Sequence, residues 1–128
     1  MSNASRAKGT GWEVELLPHL RILFYPDLPI TDKLPNGDDH PLQRAPLKGV
    51  HDYGDFTGLP GGLLIEAKKT DAPHFKEWAK NCAKKTAGLA PWVVVWSGDR
   101  RKGDGPFVLM SLPYYLQLED LANNGEGA

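Results

Sequence analysis

The stretch Gly54–Lys68, which has the sequence GDFTGLPGGLLIEAK, decides how this chain is interpreted. Asp55 lies near its start, and Glu66 and Lys68 lie at its end, with apolar residues and a turn between them. Charged groups are costly to bury. Their position at the ends of an apolar segment therefore indicates either a solvent-exposed edge or a functional site.

The apolar part predicts a hairpin of two strands, about 53–59 and 62–68, joined at the Pro-Gly dipeptide of 60–61. If that dipeptide forms the centre of a two-residue turn, Asp55 lies directly across from Glu66. Directly opposed residues have Cβ atoms about 4.5–5.5 Å apart. A bulge would change this opposition but would keep the charged residues clustered at one end of the hairpin.

Lys68 follows Glu66 by two residues and therefore lies on the same face of the predicted strand. Two carboxylates this close repel each other unless a cation lies between them, and hard oxygen ligands suit Mg²⁺ or Mn²⁺. Such a metal polarises a phosphoryl oxygen and activates water, and a lysine stabilises charge that develops on the phosphate. Asp55, Glu66 and Lys68 therefore predict metal-assisted hydrolysis of phosphodiesters.

Alternatives remain open for these residues. Alternating charges on an exposed edge strand need no function, although the segment Leu63–Ile65 is more apolar than such an edge. Asp52 could take the place of Asp55, although it falls outside the opposed register. Glu13 follows Thr10 by three residues, so it can close a helix capping box as well as contribute a carboxylate.

The composition indicates one compact domain, residues 1–128. The chain has 128 residues, of which 41% are hydrophobic and 24% are charged, enough for a single core. It contains no apolar run near the ~20 residues of a membrane helix and no apolar signal segment. We therefore expect a cytoplasmic protein, in the host cytoplasm if it is phage-encoded, with no membrane partner. The single cysteine excludes an internal disulfide and zinc sites of the usual kind.

Charge is distributed unevenly along the chain. The net charge is -1, yet residues 66–102 contain nine Lys/Arg against four Asp/Glu, and residues 104–128 contain four acids and no base. A basic section is suited to contact a phosphate backbone. Lys76, Lys80 and Lys84 are typical of a solvated helix face. The candidate DNA-binding residues are Arg44, Lys48, Lys69, Arg100, Arg101 and Lys102.

The remaining sequence predicts an α/β protein with a central mixed sheet flanked by helices. Thr10 begins a first helix that ends near Leu20. A proline-rich loop covers about 26–50 and contains a strand near 42–47. Further along we expect a second helix at about 72–87, which is capped by Thr70 or Asp71 and ended by Gly88, and then strands at 92–96 and 107–110. A last helix at about 112–122 is capped by Ser111 and is followed by a flexible tail at about 123–128.

The element order and the charged residues resemble the PD-(D/E)XK nuclease superfamily. Its common core, the restriction-endonuclease-like core, runs helix, three strands, helix and strand (αβββαβ). The segments AKGTGWE at 7–13 and LKGVHDYGDFTGLPGGLLIEAKK at 47–69 are similar to small Holliday-junction-resolvase-type endonucleases of phages and archaea. Gly54 and Asp55 stand where the superfamily pattern has Pro-Asp. The resemblance covers residues 7 to about 112.

The resemblance implies a role for each site residue. Asp55, Glu66 and the backbone carbonyl of Ala67 would bind Mg²⁺, for which Mn²⁺ would substitute. Lys68 would be the catalytic lysine, and Glu13 would complete the site or hold a second metal. The implied protein is a Mg²⁺-dependent endodeoxyribonuclease that cuts branched DNA as a homodimer, because a junction offers two strands to cut symmetrically.

Two departures concern the substrate. Resolvases of this type are basic, whereas this chain is close to neutral, and the segment 26–50 is longer than in the compact archaeal pattern. These departures leave two alternatives: a nuclease with the same chemistry that acts on duplex, flap or single-stranded DNA, and a catalytically silent module that binds DNA or a protein.

Overall fold

The structure, a computed structural model, describes residues 3–28, 40–45, 53–99 and 102–125. Within these ranges the helices are α1 (Asn3–Phe24), α2 (Phe75–Thr86) and α3 (Leu112–Gly125), and the strands are β1 (Gln43–Arg44), β2 (Phe56–Thr57), β3 (Leu64–Lys68), β4 (Trp92–Trp96) and β5 (Phe107–Met110). The strands form two sheets. β1 and β2 are paired antiparallel, and the central sheet has the order β3-β4-β5.

The central sheet is mixed, as the sequence predicts. β3 and β4 run parallel, with Glu66 opposite Val94, whereas β4 and β5 run antiparallel. α2 connects the two parallel strands, which cannot be joined by a tight turn. The α/β class is therefore confirmed. None of the helices described here combines the length and the apolar character that crossing a bilayer requires.

The core has two parts, one on each face of the sheet. The part towards α1 contains Trp12, Leu17, Leu20, Leu42, Phe56, Leu63, Ile65 and Ala67. The part towards α2 contains Leu64, Trp78, Cys82, Val94 and Trp96. Alternate residues of a strand point to opposite faces, and both faces of β3 are covered by helices. This explains why Leu64 and Ile65, adjacent residues that point to opposite faces, are both apolar and buried.

α1 differs from its prediction at both ends. It begins at Asn3 and continues through Pro18 to Phe24, so Thr10 lies inside the helix and is not its cap, and the predicted end near Leu20 is wrong. A proline inside a helix removes one backbone bond. Helix stability in proteins comes mainly from packing of an apolar face, and here Trp12, Leu17 and Leu20 pack into the core.

The predicted hairpin is only partly present. β2 pairs with β1 rather than forming a regular ladder with β3, and the turn is a 3₁₀ segment, Pro60–Gly62. The two-residue turn at 60–61 is therefore wrong. Pro-Gly is not a favoured centre for a two-residue hairpin, which needs a turn of the opposite twist. The Asp55 amide still donates to the Ile65 carbonyl at 3.0 Å, which keeps this segment beside β3.

The other elements follow the sequence with shifted ends. α2 begins at Phe75, later than predicted, and Thr70 donates its hydroxyl to Ala72 instead of capping the helix. The predicted strands at 92–96 and 107–110 are confirmed. The Ser111 hydroxyl accepts the Tyr114 amide at 3.3 Å, which confirms that cap.

The C-terminal boundary and the proline-rich loop complete the comparison. α3 continues to Gly125, so a tail that begins at 123 is wrong, and residues 126–128 lie outside the described residues. Of the loop predicted at about 26–50, the structure describes 26–28 and 40–45, and the strand expected near 42–47 is the short β1.

Gly54 allows the chain before Asp55 to approach β3 closely. Its φ is +83°, a conformation that favours glycine. A Cβ at this position would lie 2.8 Å from Cδ1 of Leu64 and 2.9 Å from the backbone oxygen of Ile65. A proline could not adopt this φ. Gly54 is therefore required by the path that brings Asp55 to the strand.

We predict that Gly54→Ala destabilises the protein more than Gly103→Ala does. Gly103 also has a positive φ, +71°, but a Cβ added there would project into open space, with no contact within 4 Å. Replacing Gly103 by alanine should therefore lower the free energy of unfolding only through backbone strain, by about 1–2 kcal/mol. Gly54→Ala adds a clash with backbone and should cost roughly 1–3 kcal/mol more. Urea unfolding of the two variants measures the difference, and equal losses would contradict this account of Gly54.

Candidate functional site

Asp55 lies at the outer edge of β3, close to Glu66. Its backbone amide donates to the Ile65 carbonyl at 3.0 Å, and its carboxylate oxygen Oδ2 accepts the Ala67 amide at 2.6 Å. These two bonds are made to the residues on either side of Glu66. Asp55 therefore lies close to Glu66, as the clustering of charged residues in the sequence predicts, but an irregular approach brings it there rather than the directly opposed register of a two-residue hairpin.

The electrostatics of Asp55 reflect this crowding. Burial, followed by the nearby Glu66 carboxylate, raises the pKa of Asp55 to about 7. The hydrogen bond from the Ala67 amide and the charge of the Lys68 ammonium act in the opposite direction and lower this pKa. Glu13 adds a smaller effect in the raising direction. Glu13, Glu66 and Lys68, the other residues predicted for catalysis, therefore all lie close enough to affect the pKa of the Asp55 carboxyl group. Additional positive charge would stabilise this carboxyl group in its ionised form.

Glu66 is bound by a lysine that the sequence interpretation missed. Nζ of Lys85 in α2 lies 2.5 Å from Oε1 of Glu66. A signal for this contact is present in the sequence, because Lys85 lies seven residues after Trp78 and three after Cys82. These spacings place it on the buried stripe of α2, which faces β3. Lys76, Lys80 and Lys84 lie on the exposed side of the helix.

Glu13 projects from the middle of α1 towards the same region. Its Oε1 lies 3.8 Å from Nε of Arg44. The pKa of Glu13 is raised above its ordinary value, mainly by burial. Arg44 opposes this shift and Glu66 adds to it. The preceding residue, Trp12, donates its indole N–H to the Val95 carbonyl at 3.0 Å, which ties this turn of α1 to the central sheet. Because Glu13 lies inside the helix, its capping role is wrong.

Arg44, predicted to contact DNA, lies beside Glu13 on β1. That strand is held to α1 by the buried Arg21, whose Nε donates to the Leu42 carbonyl at 3.0 Å and whose guanidinium donates to Gln43 at 3.3 Å. The backbone of β1 is thereby positioned so that Arg44 can reach Glu13. In this arrangement Arg44 places a positive charge next to the Glu13 carboxylate.

The other predicted DNA-binding residues are spread around the described part of the chain. Lys69 follows the end of β3 and is partly buried, and Lys102 is exposed on the loop before β5. Lys48, Arg100 and Arg101 lie outside the described residues, as does the alternative carboxylate Asp52. Their contribution to the site stays a prediction.

The oxygen donors at the edge of β3 suit a hard divalent cation. The N–H and C=O of one strand residue point to the same edge, so the Ala67 carbonyl lies on the edge where its amide meets Asp55. Asp55, Glu66 and this carbonyl form a donor set of the kind that Mg²⁺ uses together with water and substrate phosphate. In the ranges that the structure covers, no three His, Cys, Asp or Glu side chains cluster as metal ligands. The role of Glu13 as a ligand stays a prediction.

Comparisons of this chain with models of protein families, with curated proteins and with solved structures find no match. The interpretation of the site therefore depends on its residues and their geometry. The arrangement offers two carboxylates beside a backbone carbonyl, a lysine on the same strand, and a second lysine from α2.

We predict that the stability of the metal-free protein falls as pH rises from about 4 to about 7, in part because of Asp55. Its folded pKa of about 7 exceeds its ordinary value of 3.8, so the folded state retains a proton that the unfolded state has lost. The Asp55 contribution to the slope is at most about 1.4 kcal/mol per pH unit. Urea unfolding in EDTA across this range measures it.

Asp55→Asn should remove the Asp55 contribution to the slope of unfolding free energy against pH. Asp104→Asn changes an exposed loop position and should retain this contribution. Glu13 also has a raised pKa, so the informative quantity is the difference between wild type and Asp55→Asn. If the two proteins show parallel pH profiles, the Asp55 carboxyl does not have the crowded environment described above.

Proposed function

We propose that this protein is a Mg²⁺-dependent endodeoxyribonuclease with a PD-(D/E)XK-type active site. The observation that carries the proposal is the position of Asp55 close to Glu66, with the Ala67 amide bound to the Asp55 carboxylate at 2.6 Å and Lys68 two residues beyond Glu66 on the same strand. This combination of two carboxylates, a carbonyl and a lysine is the set that the superfamily uses.

The fold supports this proposal at a coarser level. The order α1, β1, β2, β3, α2, β4 contains a helix, three strands, a helix and a strand, which agrees with a restriction-endonuclease-like core (αβββαβ). Glu66 lies on β3, whose two faces are covered by helices, and Asp55 lies at the outer edge of that strand. β1 and β2 form a sheet of their own rather than extending the central one, so the agreement concerns the order and the position of the site.

The proposed mechanism assigns a task to each residue. Asp55, Glu66 and the Ala67 carbonyl would hold Mg²⁺, which supplies polarisation of the phosphoryl oxygen and a lowered pKa of bound water. Lys68 orients the attacking water and stabilises the negative charge that develops on the phosphate oxygens. Glu13 stabilises the nearby Arg44 guanidinium, with which it is in contact at 3.8 Å, and this keeps positive charge at the side of the site.

The proposed substrate is branched DNA of the Holliday-junction type. The support is the resemblance of the segments 7–13 and 47–69 to resolvase-type nucleases, together with two basic residues in the described part of the chain. Lys69 lies directly after the catalytic strand, and Lys102 lies on an exposed loop, from which a phosphate backbone can be contacted. Duplex, flap or single-stranded DNA is the alternative substrate class, and a silent binding module is the alternative without catalysis.

We predict that the protein nicks a labelled four-way junction in Mg²⁺ but not in EDTA, and cuts linear duplex of the same sequence much more slowly. Glu66→Gln and Lys68→Met should each lower the cleavage rate by about 100-fold or more, because each removes a group that acts on the transition state. Lys80→Met is the matched control. It removes the same charge from an exposed position of α2 and should leave cleavage near the wild-type rate.

Each outcome of this experiment has a definite meaning. Efficient cleavage of linear duplex would retain the site and replace the substrate. Equal activity of Glu66→Gln, Lys68→Met and wild type would contradict the assignment of the site. Absence of cleavage of any DNA form, with DNA binding unchanged in Glu66→Gln, would favour the silent binding module.

We also propose that the enzyme is a homodimer that pairs through β5. In the described part of the chain, β5 has a strand neighbour only at β4, and its outer edge offers unpaired backbone groups. Phe107 and Val108 are exposed, and a hollow of about 410 Å³ lies beside them. A second copy can pair the same strand antiparallel about a twofold axis, and two active sites related in this way match a junction cut on two strands.

We predict that wild type sediments as a dimer and that Val108→Lys raises its dissociation constant by about tenfold or more, because a charge at an edge strand opposes pairing. Leu89→Lys introduces the same charge at a side chain that is 89% exposed, in the turn after α2, and should leave the dimer intact. Analytical ultracentrifugation over a range of concentrations measures both. A monomeric wild type would contradict the proposed dimer without affecting the chemistry of the site.

A further inference from the structure

The ion pair between Lys85 and Glu66 joins two side chains with very different freedom. The Glu66 side chain is 7% exposed and the Lys85 side chain is 27% exposed, with 2.5 Å between Oε1 and Nζ. Glu66 is held in place by the sheet. Lys85 carries its ammonium on a flexible four-carbon chain that reaches solvent. In this pair the anion is therefore fixed and the cation can leave.

The surroundings of Glu66 explain why a cation is needed there. On one side lies Asp55, whose pKa is raised by burial and by Glu66. Behind Glu66 lies the buried thiol of Cys82, whose pKa is raised by burial and then by Glu66 to about 11. Lys68 also faces this group. A buried carboxylate with another carboxylate beside it is costly unless a positive charge is close, and Lys85 makes the direct contact.

We infer that Lys85 is a positioning residue that neutralises Glu66 in the metal-free protein and competes with the divalent cation for that carboxylate. This inference rests on the proposed function, because it concerns the metal that Asp55 and Glu66 would hold. Lys85 thereby has two opposite effects. It keeps the acidic pair assembled before the metal binds, and it lowers the affinity of the site for the metal.

The opposite signs of these effects distinguish this role from a merely structural one. If Lys85 only supported the fold around Glu66, its removal would weaken metal binding as well as stability. If it competes with the cation, its removal leaves a more negative site that binds the cation more tightly, while the metal-free protein becomes less stable because Glu66 has lost its partner. Bound metal then replaces the lost charge and restores stability.

The test compares Lys85→Met with Lys84→Met. Lys84 is the neighbouring residue of α2 and is exposed, so its replacement removes the same charge without breaking the contact. Isothermal titration with Mn²⁺ should give a dissociation constant about threefold to tenfold lower for Lys85→Met than for Lys84→Met. In EDTA, Lys85→Met should unfold at lower urea concentration than Lys84→Met, and saturating Mn²⁺ should narrow that gap. Lys85→Arg, which keeps the charge, should retain a metal affinity close to that of wild type.

A measurement on the wild-type protein covers the case in which Lys85→Met does not fold. The ¹⁵N signal of the Lys85 side-chain ammonium should shift when Mg²⁺ is added, because its contact with Glu66 is lost, and the Lys84 signal should stay unchanged. An unmoved Lys85 signal at saturating Mg²⁺, or a Lys85→Met protein whose affinity for Mn²⁺ is equal to or weaker than that of Lys84→Met, would overturn the inference.

Failure of the proposed metal site produces a different result. In that case wild type binds neither Mn²⁺ nor Mg²⁺, or binds them equally well after Asp55→Asn, and both the site and the Lys85 inference are lost. If wild type binds the metal through Asp55 but the two lysine variants do not differ, only the Lys85 inference is lost and the proposed function stands.

Discussion

The structure around the site depends on the contact of the Gly54–Asp55 segment with the outer edge of β3. Asp55 donates its amide to Ile65 and accepts the Ala67 amide on its carboxylate, so both backbone and side chain attach this segment to the strand. The attachment is possible because Gly54 has no Cβ where Leu64 and the Ile65 carbonyl lie. Without this attachment Asp55 would not lie beside Glu66, and the proposed donor set for a divalent cation would lose one of its carboxylates.

Two of the acidic residues brought together in this way are each paired with a cation. Glu66 is paired with Lys85, and Glu13 lies beside Arg44, whereas burial and Glu66 raise the pKa of Asp55 to about 7. Charge that is costly to bury is thus partly neutralised by cations on α2 and β1. Under the proposed function, a divalent cation that binds to this site would stabilise the folded protein further.

Much of the fold could be predicted because its signals are local. The strand Trp92–Trp96, the cap at Ser111 and the apolar stripe of α2 follow from β-branched runs, capping chemistry and helical spacing. The errors arose where a local signal competed with packing. Thr10 has the form of a cap, yet α1 continues through it because the helix gains more from its buried face.

Within the site, the sequence by itself determined the identity and spacing of Asp55, Glu66 and Lys68, since a two-residue period places Glu66 and Lys68 on one face of a strand. It also indicated that the segment Leu63–Ile65 is more apolar than a solvated edge strand. Only the tertiary structure decided that Asp55 reaches β3 by a close approach at Gly54, that Arg44 meets Glu13, and that Lys85 binds Glu66. These contacts join residues that are distant in sequence, and their geometry depends on how α1, α2 and the sheet pack together, which no local pattern specifies.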